Sequence, residues 1–122
     1  PKQAMEKISL KVYKDGMAGL LQLIKPPTHY STLTALNDLS LEELILVEWR
    51  GRITNQQITT WRFRTNQKPY TLNLPLSVAV AMWQTLQRLP LSDALQELLN
   101  ELTRTLVNSG LQPQYLPYHT YD

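Results

Sequence analysis

The chain has 122 residues, one domain's worth, with 43% hydrophobic and 18% charged residues. That composition excludes a wholly disordered chain, a collagen-like repeat and a coiled-coil rod, and the absence of cysteine excludes disulfides, thiolate zinc sites and thiol catalysis. The formal net charge is only +2, but it is unevenly placed: Arg50, Arg52, Arg62, Arg64 and Lys68 fall in a stretch without an acidic residue, whereas Asp93, Glu97, Glu101 and Asp122 face only Arg104 at the C-terminal end.

Near the start, Lys2, Glu6 and Lys7 interrupt any signal-peptide arrangement, and no run of 18 apolar residues follows, so the cytoplasm is the expected compartment and no membrane is expected as a partner. Ile8, Leu10 and Val12 alternate with polar residues, which predicts a strand. After Asp15-Gly16, residues 17–25 read as a short apolar helix, with the second arm of a hairpin as the alternative, and Pro26-Pro27 ends the segment. Gly16-Met17-Ala18-Gly19 matches the Gly-x-x-Gly of an RNA-contacting KH loop in spacing, but its middle residues are apolar and the order of elements is wrong. A turn followed by close helix packing accounts for the glycines better.

Ser40 and Glu43 have capping-box spacing, so a helical turn is expected at 41–44. The β-branched and aromatic content of residues 44–50 then predicts a strand, and residues 58–65 and 70–74 predict two more, joined by turns at 54–57 and 65–68. In this meander Trp49 pairs with Phe63, Gly51 with Trp61 and Val47 with Thr65 on the core face. Glu48 pairs with Arg64 and Arg50 with Arg62 on the other, and the next turn sets Phe63 against Tyr70.

Ser77 is expected to cap a helix running to Leu89 and stopped by Pro90. Ser92 caps a second, with Leu95, Leu98, Leu99, Leu102 and Leu106 as its apolar stripe and Gly110 after its end. The short connection makes the two helices antiparallel neighbours. The fold class is thus α+β: an antiparallel sheet of three or four strands with helices packed on one face and a C-terminal antiparallel helix pair. Residues 1–110 form one domain and 111–122 an extended tail rich in tyrosine and proline.

The chemical inventory is thin. His29 and His119 are isolated, no hydrolase, nucleotide-binding or dinucleotide-binding motif is present, and Glu97 and Glu101 read as a solvated helix face. The expectation is therefore a non-enzyme without metal or cofactor. The candidate partner-binding residues are Arg50, Arg62 and Arg64, clustered on the polar sheet face with Lys11 nearby, and Tyr115, Tyr118 and Tyr121 of the tail. They point to an adaptor or assembly factor that docks an acidic or extended segment of another protein. With the aromatics assigned to the core face, nucleic acid is the rival partner, and a structural subunit of a larger complex is the third reading. The strand at 44–47 is apolar on both faces, so the N-terminal helix or a second subunit must cover one of them, and a homodimer is expected.

Overall fold

The computed structural model describes residues 7–30, 37–63, 65 and 67–110. Strand β1 (Lys7–Val12) leads into helix α1 (Lys14–Leu23), a single 3-10 turn follows at Pro27–His29, and then come helices α2 (Leu41–Gly51) and α3 (Asn55–Arg62). Strand β2 (Tyr70–Pro75) passes directly into α4 (Leu76–Gln87), and α5 (Asp93–Asn108) completes the fold. The class is α+β, with mostly helix and one two-stranded antiparallel sheet.

β1 alternates strictly between exposed and buried residues, as its period of two requires. Its partner is β2, in a register that sets Ile8 against Leu74, Leu10 against Leu72 and Val12 against Tyr70. The buried face of this ribbon carries Ile8, Leu10, Val12, Leu72 and Leu74, and α4 and α5 pack over it. The other face is wet. There Ser9 donates to Asn73, and Lys11 Nζ donates to Thr71 Oγ1 at 3.0 Å. A lone ribbon is marginal in water, so the helical layer supplies most of its stability.

The helix at 93–108 falls where the leucine periodicity places it, and the helix at 76–87 lies within a residue or two of the expected span, ending at Gln87 rather than Leu89. Ser92 Oγ does accept from Leu95 N, but the first helix starts at Leu76 behind Pro75 rather than at Ser77. Met82, Leu86, Leu102 and Leu106 are essentially inaccessible. Trp83 Nε1 donates to Thr103 Oγ1 at 2.9 Å, which joins α4 to α5 while giving the indole N–H an acceptor inside the core. Gly110 has φ +91°, the left-handed conformation that favours glycine after a helix.

Two expected strands are helices, and with them goes the three- or four-stranded sheet: two strands are present among the described residues. Residues 44–50 belong to α2, whose capping box is complete: Glu43 N donates to Ser40 Oγ and Ser40 N to Glu43 Oε1. Glu42 and Glu43 lie at its positive end and Arg50 at its negative end, so the helix dipole agrees with the cap. Leu46, Val47 and Trp49 are buried while Leu41 and Leu44 are exposed, a one-sided helix rather than a strand apolar on both faces.

Residues 58–65 were expected to pair with their neighbours. Instead α3 covers 55–62, and the segment expected as a turn at 54–57 is its cap: Gln57 N donates to Thr54 Oγ1 at 3.1 Å and Thr54 N to Gln57 Oε1 at 2.9 Å. The cross-strand pairs therefore do not form. Trp61 is buried, but from a helix, and Phe63 is 81% exposed instead of facing the core. Tyr70, expected opposite Phe63, instead meets the Trp61 ring edge-on with centroids 5.8 Å apart. Gly51 makes room for Pro27, not for Trp61: a Cβ there would lie 2.8 Å from the Pro27 ring. Gly16 and Gly19 both lie inside α1, so no turn separates them from the helix, and a Cβ on Gly19 would press on Leu95 of α5.

Candidate functional site

Arg50 and Arg62 do come together, although not on a sheet. On α1, Lys14, Met17, Ala18, Leu21 and Gln22 recur at helical spacing and form one stripe. On α3, Ile58, Trp61 and Arg62 do the same, and α1 and α3 are neighbours. Between the stripes lies an open groove of about 380 Å³, into which Arg50 enters from the last turn of α2.

The groove has apolar walls and a cationic rim. Met17 and Trp61 are buried, and Leu21 and Ile58 are half-buried against the core. Lys14, Arg50 and Arg62 supply three positive charges, and among the described residues no carboxylate lines the groove. Low-dielectric walls strengthen the field of these charges and concentrate anions in the depression.

The arginines differ in setting. Arg62 stands exposed at the end of α3. Arg50 is half-buried, and its Nε is wholly buried without a hydrogen-bond partner among the described residues. A buried donor left unpaired is costly, and because this atom is closed to solvent only the remainder of the guanidinium can face the groove.

The other basic candidates are placed elsewhere. Arg52 does not line the groove and lies 3.6 Å from Glu48 in an exposed pair of the kind that contributes little to stability. Lys11 is held by Thr71 on the wet face of the ribbon and does not join the basic cluster. Arg64, Tyr115, Tyr118 and Tyr121 lie outside the described residues, as does His119. His29 stacks edge-on with Tyr30, centroids 5.0 Å apart.

The uneven charge of the chain is also uneven in space. A second open groove, of about 800 Å³, runs between the start of α1 and α5. It is lined by Asp15, Asp93, Glu97 and Glu101 against Lys11 and Arg104, and Arg104 is ion-paired to Glu101. The acidic groove thus lies along α5, and the basic one lies between α1 and α3.

Lys14 was not among the sequence candidates. Its signal was its position four residues from Ala18 and eight from Gln22 on the face of α1 that carries Met17 and Leu21. Finding it required pairing that face with 58–62 read as a helix. No family model, curated protein or solved structure matches this chain.

Proposed function

We propose that the chain is a non-enzymatic protein-binding adaptor or assembly factor that docks an acidic segment of a partner protein in the α1–α3 groove. The observation that carries this reading is the convergence of Lys14, Arg50 and Arg62 on one apolar-walled depression that no carboxylate lines among the described residues. Cations over apolar walls suit a protein segment that brings both carboxylates and aliphatic side chains, and arginine is enriched in such interfaces for its planar fork. A homodimer loses its original ground, because residues 44–47 are one-sided in α2 and their apolar face is already covered within the chain.

One observation favours a second reading. Phe63, directly after Arg62, is 81% exposed. An exposed ring beside an arginine is what a base of single-stranded nucleic acid stacks on.

The test uses the immobilised protein and its Arg62→Glu variant with extract of the native source. The reading expects a protein, retained after nuclease treatment, that binds the wild type and not the variant, while both melt at the same temperature because Arg62 is exposed. Equal retention by both, or capture that disappears with nuclease and falls steeply with salt, overturns it.

A further inference from the structure

We infer that the α1–α3 groove recognises a short extended acidic–aliphatic segment, about four residues long, and that Arg50 reads one of its carboxylates through the terminal Nη groups of the guanidinium. This inference rests on the groove being a docking site.

The length follows from α1. Lys14 and Gln22 are eight residues apart on the lining face, which is about 12 Å at 1.5 Å per residue. An extended chain covers that distance with roughly four residues at about 3.3 Å each.

The chemistry follows from the lining. Arg50 Nε is buried and has no acceptor among the described residues. That atom is closed to solvent, so the two Nη groups supply the parallel N–H pair for the two oxygens of one carboxylate. Lys14 and Arg62 add charge for a second carboxylate, so a single chain-terminal carboxylate would leave the site under-neutralised. Met17, Leu21, Ile58 and Trp61 form the walls, and they match an aliphatic side chain set between the acidic ones. A phosphate backbone needs cations spaced along its track and gains nothing from those walls.

The probe is acetyl-Glu-Leu-Glu-Leu-amide, titrated into the full chain while the Arg50 Nε–Hε NMR resonance is followed. The expected result is a saturable shift of that resonance. Replacing both glutamates of the peptide by glutamine abolishes it, and replacing both leucines by glycine weakens it about tenfold. In the protein, Arg50→Lys keeps the charge but loses the fork and weakens binding by about tenfold, whereas Arg62→Lys changes it less than about twofold. Leu21→Ala leaves Arg50 in place and provides an independent arm: it lowers affinity for the leucine peptide and not for the glycine peptide.

Inorganic phosphate shifting the resonance at lower concentration than the peptide overturns the inference. So does equal affinity of the leucine and glycine peptides, or a folded Arg50→Lys variant that binds like the wild type. A protein captured through Arg62 while Arg50→Lys is harmless keeps the adaptor and removes this mode of recognition. Selective peptide binding without any Arg62-dependent partner does the reverse.

Discussion

Thr54→Ala tests the element on which the groove depends. If residues 55–62 are helix, Thr54 is its N-cap, and the substitution removes the acceptor for Gln57 N, 3.1 Å away, and weakens the reciprocal bond from Thr54 N to Gln57 Oε1. Loss of such a cap costs about 1 kcal/mol. In a domain of this size that lowers the melting temperature by about 3–5 °C. The helix has only eight residues and cannot persist on propensity, so its packing through Ile58 and Trp61 carries the rest. Denaturant unfolding followed by tryptophan fluorescence reads the midpoint shift at constant slope. Thr59→Ala is the control: Thr59 is exposed in the middle of α3, and alanine there changes stability by less than about 0.5 kcal/mol. On a strand, Thr59 would share the core face with Trp61 and Thr54 would be a loop residue. A neutral Thr54→Ala beside a destabilising Thr59→Ala refutes the helix and the groove built on it.

Five further substitutions have expected outcomes. Gly51→Ala lowers thermal stability, because its Cβ meets the rigid Pro27 ring at 2.8 Å, whereas Gly16→Ala, with ordinary contacts at 3.5 Å and beyond inside α1, raises it by about 0.5–1 kcal/mol through helix propensity. Leu102→Ala, at a fully buried position of α5, costs about 2–5 kcal/mol in urea unfolding. Ser92→Ala costs about 1 kcal/mol through loss of the α5 cap. The Glu42 carboxyl is held below its usual range, chiefly by a backbone hydrogen bond at the start of α2, with Ser40 and Arg88 assisting against desolvation. Its folded-state value lies below the unfolded one, so its contribution is present above the unfolded value and lost as pH falls through the folded one. Comparing wild type with Glu42→Gln in acid-induced unfolding isolates that contribution, and a pH dependence unchanged by the substitution contradicts it.

The parts of the fold legible in the sequence are those where one pattern had no competitor. β1 alternates cleanly, α5 repeats leucine at three and four with a serine cap, and both readings survive folding. α2 and α3 were misread because β-branched and aromatic residues are poor witnesses to backbone state: Ile45, Val47, Ile58 and Trp61 sit in helices when tertiary packing rewards one face. The corrective signals were local. Ser40-x-x-Glu43 was recognised but credited with a single turn, and Thr54-x-x-Gln57, the same box in Thr/Gln form, was read as a turn. The site was half legible. Arg50 and Arg62 line one groove, but not through the cross-strand pairing expected of them, and a wrong secondary structure hides Lys14 and the exposure of Phe63.

The most direct test of the docking account sets the acidic–aliphatic tetrapeptide against a short single-stranded oligonucleotide, each titrated at low and moderate salt while backbone amide resonances are followed. The account predicts that the peptide shifts amides of α1, α3 and the last turn of α2, that the shifts weaken but persist at moderate salt, and that the oligonucleotide leaves those amides unchanged. Shifts at Phe63 and Arg62 from the oligonucleotide, lost steeply as salt rises, with none from the peptide, contradict it.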